Sequence, residues 1–534
     1  MTRPNRVRSP RERQRWRQTQ WIVIALLLLA EVFGFIAFRE RLPIAILAGV
    51  VLIAFTFIRP VVRDNPPAGR LLVVIVTLIV LAWCAASFAY GQYKTSIEHL
   101  DWTLNIEAFR HKPSFEQWPV YGKSDDQRWP HALLMFPATA VLGWIAIVLG
   151  PRLVRSSQAQ AVLLLCIAAA ATMFAFGLGD RPERTLAVYH DGQFAEDFAF
   201  TREHGIGLNA YAAHMDELSW FGTHYPPGFM LLYGPSPVLG SIAILLGTAG
   251  AIGLTFVATL TLGGSRQVAW WSAALLGCGP LVLMLPTVSS SAVLLTFAAG
   301  AVALCGVAIR GRTSTSRLAA AGGLGLVLAA WSFFSFSVGL FAVSLVVTLT
   351  WLVMAKRLPL SRAVLLAMVV GATVVTALGL LWLTTGYDAL ATFAEASANH
   401  HEQIGGRRVP PDETAHRWML RSVGNIVAWL AGHLPLTAVA IAGLVSLRGN
   451  SEFDRIVKIA AASALLVISY ASLSGTFVLE TERIWMFFLA SLCPVAAAWM
   501  VRAQQTDSPA TAKTVVGLSL VLALLTELVW KPFL

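Results

Sequence analysis

The chain has 534 residues, is 56% hydrophobic and only 13% charged, and carries a formal net charge of +11 with a mean hydropathy of +0.66. Soluble domains average about 25% charged residues, and the repeated apolar runs of membrane-spanning length identify an all-α polytopic membrane protein. The basic residues are scattered over many short loops, which is a topology signal and argues against nucleic acid as a partner.

Residues 1–19 form a basic tail with seven arginines, followed by an apolar run of about nineteen residues. That run is long for a signal-peptide core and no small-residue cleavage site follows it, so it reads as an uncleaved first span behind a cytoplasmic tail. Arginine outnumbers lysine 33 to 7, in keeping with a GC-rich bacterial genome. Apolar runs place about fifteen spans, near 20–38, 42–58, 71–90, 131–150, 157–179, 237–262, 267–285, 288–309, 317–332, 335–355, 361–385, 424–447, 455–473, 482–501 and 512–530. The run 317–332 is short, and Pro226, Pro227, Pro235 and Pro237 forbid a clean helix over 226–240. Cys84, Cys166, Cys278, Cys305 and Cys493 all sit in apolar segments without a CxxC, which suits helix packing rather than zinc or disulfides.

Alternating the spans from an inner N-terminus puts 24 of the 40 Lys and Arg on the cytoplasmic side, in far fewer residues. The acids segregate more sharply: 22 of 29 Asp and Glu fall outside, with five inside and two within spans. Ten of the eleven histidines lie on or at the mouth of the outer side, His433 being the exception. The chain therefore divides into the tail, four N-terminal spans over 20–156, and a core over 157–534 with large outer-face loops at 180–224, 386–423 and 474–483. A loop over 91–130 carries Glu98, Asp101 and Glu107. The expected location is the cytoplasmic membrane of a bacterium, with multiple passes.

The segment 189–233 concentrates six carboxylates and four histidines. Asp191, in the His190-Asp191 pair, is a candidate general base that takes a proton from an acceptor hydroxyl or amine; alone, it reads more simply as a solvated loop aspartate. Glu196 and Asp197 follow at a spacing that lets a helix bring Asp191 near either of them, and such a pair could hold a divalent metal or shift each other's pKa. Further on, His224 and Tyr225 precede Pro226 and Pro227, which fix the chain's passage into the membrane. The loop 389–421 holds Arg407, Arg408, Arg417 and Arg421 with His400, His401 and His416. Arginine's planar fork suits a phosphate leaving group, while a plain contact with anionic lipid heads explains the loop equally well. Glu480, Glu482 and Arg483 stand at a later span entrance, where an ion pair or snorkelling competes with phosphate contact. Ser289, Ser290 and Ser291 read as helix packing or capping. No P-loop, GxGxxG after a strand, HExxH or GxSxG is present.

An ordered set of landmarks resembles the GT-C fold membrane glycosyltransferases, the superfamily of protein O-mannosyltransferases and aminoarabinose transferases. The set comprises Asp191 after a span; Gly205, Gly207, Asn209 and Tyr211; then Tyr225, Pro226 and Pro227 opening an apolar helix; then the His- and Arg-bearing loop; and last Arg483-Ile484-Trp485. It covers about 160–534. The resemblance implies a polyprenyl-phosphate sugar donor, an extracytoplasmic lipid, glycan or protein acceptor, and inverting transfer of a hexosyl or pentosyl group. Asp191 would act as base, with Asp197 as its alternative. Arg483 with Arg407 or Arg408 would bind the donor phosphate. The departure from the family pattern is the four spans that precede the loop. A transporter or lipid flippase is the rival reading, but only Glu31, Glu527 and His433 lie at membrane depth, where a transport path needs ionisable groups. A scaffold of an envelope-assembly complex is a third.

Overall fold

The computed structural model describes residues 133–180, 189–219, 222–287, 289–403, 429–447, 451–473, 485–506 and 510–529, together with 73, 426 and 449. The tail, the spans expected at 20–38, 42–58 and 71–90, and the loop 91–130 therefore lie outside the described residues, residue 73 excepted. The described part is helical and contains no strand. Its helices are Met135–Ser156 (α1), Gln158–Asp180 (α2), Tyr189–Glu203 (α3), Gly228–Tyr233 (α4), Pro237–Thr261 (α5), Arg266–Gly277 (α6), Pro280–Met284 (α7) and Leu294–Arg310 (α8). They continue with Ser314–Ser332 (α9), Val338–Met354 (α10), Leu360–Thr385 (α11), Ala389–Gln403 (α12), Leu436–Ser446 (α13), Glu452–Leu473 (α14), Leu489–Thr506 (α15) and Ala510–Val529 (α16).

Helix starts follow local chemistry. Ser236 precedes Pro237 and accepts from Leu239 N–H at 3.4 Å; Ser265 and Thr313 cap α6 and α9 in the same way. Ser451 and Asp454 cap α14 reciprocally, each side chain accepting from the other's backbone N–H at 3.1 Å. Inside the bundle the hydroxyls have nowhere to go but the helix itself. Thr172, Thr248, Thr255, Thr259 and Ser519 each donate to the carbonyl four residues back, which satisfies them without water.

Among the described residues seven helices are long and apolar enough to cross a membrane, and they match the spans expected near 131–150, 157–179, 237–262, 288–309, 361–385, 455–473 and 482–501. Two expected spans are not single helices. The run 267–285 is split into α6 and α7 at Cys278-Gly279-Pro280, because Pro280 cannot continue the hydrogen-bond ladder. The run 424–447 is interrupted at His433–Pro435 before α13, again at a proline. As the four prolines require, α4 stops at Tyr233 and α5 starts at Pro237.

Contacts between loops sort them into two ends. At the end assigned to the cytoplasm, Arg310 pairs with Glu452 at 3.4 Å and its guanidinium lies against Gly263, while Arg502 pairs with Asp454. At the other end, Gly228 N–H donates to Phe333 carbonyl at 2.9 Å, Asn399 reaches Thr223, and Trp429 Nε1–H donates to Trp485 carbonyl at 3.2 Å.

Asp454 is 1% exposed and Arg502 is its charged partner, so removing the cation strands a buried carboxylate. Arg502→Met is expected to cost about 3 kcal/mol, read as a lowered thermal midpoint in detergent, and Arg502→Met with Asp454→Asn should recover most of it. Equal midpoints for the single variant and the parent would show that the pair contributes nothing.

Candidate active site at the outer end of the bundle

Helix α3 buries Phe194, Asp197 and Thr201 and exposes Glu196, Ala199, Arg202 and Glu203. Phe194 is fully buried and packs on Tyr225, Phe229 and Tyr233 at ring separations of 5.9, 5.5 and 6.1 Å. From Phe229 the rings continue through Phe334 (5.3 Å), Phe297 and Trp331 to Phe487. Contacts of this kind add about 0.5–1.5 kcal/mol each beyond area burial. They tie α3 and α4 to the loop 333–337 and to the turn Met486–Phe488, which leads into α15. The segment 474–484, with Glu482 and Arg483, lies outside the described residues, but the chain resumes at Trp485 within this ladder's reach.

Asp197 is the best-defined polar group of the site. It is 4% exposed, and accepts from Ser219 N–H at 2.7 Å and from Ser219 Oγ–H at 2.7 Å. Gly222 approaches so closely that an added Cβ would run into the Asp197 carboxylate. Burial pushes the Asp197 carboxyl above the usual carboxylate range, against the pull of the hydrogen bonds from Ser219 and Gly222; the Glu196 charge adds to the rise. Tyr211, also buried, donates to Gly222 carbonyl at 3.3 Å and Tyr225 carbonyl at 3.0 Å. Burial and the neighbouring Asp197 push its hydroxyl far above its usual range, so it stays a neutral donor. Thr223 Oγ1 lies 2.8 Å from His224 Nδ1, which fixes the ring of His224 beside the turn. Ser219 is thus held by Asp197, and the stretch 222–225 by Tyr211.

Helix α12 closes over this turn. Its start is set by Gly386, in the left-handed region at φ +74 against Asn209, and by Asp388, whose Oδ1 accepts from Leu390 and Ala391 N–H at 2.9 Å. Tyr387 is buried against Phe333, and burial pushes its hydroxyl up to about 12. Near the far end of the helix, Asn399 Nδ2–H donates to Thr223 carbonyl at 3.4 Å.

The expected residues now have places. Asn399 touches the residue before His224, so the positions of His400 and His401 follow directly on the 223–225 turn. His190 and Asp191 occupy the first turn of α3. Arg407, Arg408 and Arg417 lie outside the described residues. Glu196 is exposed while its neighbour Asp197 is buried, so the two face different sides of α3. Position 191 stands five and six residues earlier on the same helix, roughly 140° and 120° around the axis at 100° per residue. Among the described residues no three His, Cys, Asp or Glu side chains are grouped as metal ligands. Tyr225 is half-buried; its ring meets Phe194 and Phe229 edge-on and its carbonyl accepts from Tyr211. Ser219, Gly222, Thr223 and Asn399 are site residues that sequence reasoning passed over. Only Asn399, next to the paired histidines, carried a signal.

The raised Asp197 carboxyl sets a pH dependence. Its folded pKa exceeds its unfolded value, so its contribution to stability is complete below the unfolded pKa and is lost as pH rises through the folded pKa. The thermal midpoint of Asp197→Asn relative to the parent is expected to rise from pH 4 to pH 7; a relative midpoint that falls over this range would contradict the assignment. Asp197→Ala, which leaves the Ser219 and Gly222 donors unpaired, is expected to destabilise by about 1–3 kcal/mol.

No protein-family model matches the chain, and no curated protein matches it. Among solved structures it is similar to ArnT from Cupriavidus metallidurans in the apo state, at 15% identity over 68% of this chain and 63% of that chain, with a TM-score of 0.46. It is similar to ArnT from the same organism bound to undecaprenyl phosphate, at 15% identity over 67% and 63% of the two chains, with a TM-score of 0.45. It is also similar to the archaeal oligosaccharyltransferase AglB from Archaeoglobus fulgidus in complex with an inhibitory peptide and a dolichol-phosphate, at 11% identity over 71% of this chain and 56% of that chain, with a TM-score of 0.43. The matched part thus spans less than two thirds of each of those proteins.

Proposed function

We propose that this protein is a membrane glycosyltransferase that moves one sugar from a polyprenyl-phosphate-linked donor to an acceptor on the outer face. The observation that carries the reading is the gathering at one end of the bundle. The helix with Asp191, the clamped turn with His224, and the helix ending in His400 and His401 all meet there. The opposite end holds Arg310, Arg502, Glu452 and Asp454 in ion pairs. The donor class comes from the sequence resemblance, and the lipids named for two of the similar structures belong to that chemical class.

In the proposed reaction an acceptor oxygen or nitrogen attacks the anomeric carbon of the donor sugar. The bond from that carbon to the phosphate oxygen breaks, and the polyprenyl phosphate leaves with the bonding electron pair. Asp191 takes the proton that the acceptor loses. Arg483 and the arginines at 407, 408 and 417 offset the charge that builds on the departing phosphate. Asp197 takes no part as base in this scheme, because both its oxygens face donors and it is sealed from solvent; it holds the turn against which the acceptor is placed. The reading does not require a metal. The flippase alternative has little to work with: the buried ionisable groups among the described Asp, Glu, Lys, Arg and His residues are Asp197, Asp454 and His433.

Asp191→Asn is expected to lower transfer from a polyprenyl-phosphate sugar in reconstituted membranes at least about 100-fold, with the elution profile in detergent unchanged. Transfer within two-fold or so of the parent would remove Asp191 as base.

A further inference from the structure

Helix α12 has two unlike sides. Thr392, Ala396 and Asn399, spaced four and three residues apart, are buried against the outer loops and the turn Tyr211–Glu217. On the other side Leu390 is 81% exposed and Phe393, which meets Phe336 edge-on at 5.2 Å, is still 51% exposed, with Ala391, Ala394 and Ala398 around them. Glu395 is the only charged residue between 389 and 398. An outer-face helix surrounded by water would be expected to turn charged or polar residues outward; this one turns a leucine, a phenylalanine and alanines outward.

The covering of this side can be read from what precedes it. Helix α11 is the least buried of the membrane-length helices, with 6% of its most apolar stretch buried, against 33–94% for the others. Val364, Met368, Val375 and Leu380 are exposed along it, and its last turn exposes Trp382 and Leu383. A membrane-length apolar surface of this kind faces acyl chains. Only the turn 386–388 separates Leu383 from Leu390, and Gly386 makes it in the left-handed region. The lipid-facing surface of α11 therefore leads directly to the bare side of α12.

We propose that α12 lies in the plane of the outer membrane interface, with Leu390 and Phe393 inserted among the acyl chains and its Thr392–Asn399 side clamping the 219–225 turn. The occupant of the exposed side is outer-leaflet lipid. Amphipathic helices of this type bury their apolar face about 5–10 Å into the boundary between headgroups and chains. The membrane then serves as one wall of the site. The inference stands on exposure and continuity and is independent of the transfer reaction.

The test uses the full chain reconstituted in phosphatidylethanolamine and phosphatidylglycerol vesicles. Nitroxide labels are placed singly at Leu390→Cys and Phe393→Cys, in a background with Cys84 and Cys166 replaced by Ser. Val375→Cys serves as the lipid reference and Glu217→Cys as the aqueous one. The ratio of oxygen to nickel-chelate accessibility at 390 and 393 is expected to approach that at 375 and to exceed that at 217 several-fold. A ratio equal to that at 217 would show α12 standing in water. Low accessibility to both reagents would show a second copy or another segment of the chain covering it. Either result overturns the proposal.

Discussion

The end of the bundle that carries α3, α4 and α12 is anchored by one backbone hydrogen bond, from Gly228 N–H to the carbonyl of Phe333. It works because position 228 has no side chain, since a Cβ would strike that same carbonyl. The contact brings the start of α4 onto the loop between α9 and α10. Everything polar on that face is then referred to it. Phe229 reaches Phe334, Tyr225 sits beside Phe229, and Tyr211 takes its bearings from Tyr225 carbonyl. A lipid-embedded bundle cannot leave backbone groups unpaired, so a polar superstructure must attach through a few such points, and aromatic packing makes the attachment stiff.

Two kinds of polar chemistry follow from this arrangement. At the inner end the charges are neutralised locally, by Arg310 with Glu452 and Arg502 with Asp454, and Lys458 donates to Leu447 carbonyl at the end of α13. These groups fasten helices together. At the outer end Asp197 is answered by neutral donors, a hydroxyl and backbone N–H groups, and its carboxyl is raised by burial. Raised carboxyls are found in structural clasps and in reaction sites alike; here the geometry, with both oxygens turned to Ser219, marks a clasp.

Much of this was legible in the sequence because lipid imposes simple rules. Apolar length gave seven spans among the described residues, and the prolines at 226–237 gave the break between α4 and α5. What the pattern could not give was which carboxylate is buried. Glu196 and Asp197 are chemically near-equal neighbours, and only packing against Ser219 separates them. The resemblance landmarks also gain a physical meaning that letters alone do not carry. Gly205 adopts φ +66 at the end of α3, Asn209 fills the space over Gly386, and Tyr211 staples the 222–225 turn. They are the framework of the loop rather than its chemistry. The roles suggested for Arg407, Arg408, Arg417 and Arg483 remain those of the sequence, since these residues lie outside the described part.

The reciprocal cap at Ser451 and Asp454 bears on how the chain is built. Helices α14 and α15 run in opposite directions and meet side by side at their inner ends, where Arg502 closes on the same carboxylate that caps α14. During synthesis α14 emerges first, so its Asp454 has a cap but no counter-ion until Arg502, 48 residues later, has been made. The favourable energy for placing α14 the right way up is therefore realised only when its successor has crossed. A hairpin with either helix reversed would separate Arg502 from Asp454 by the length of a helix and lose the pair.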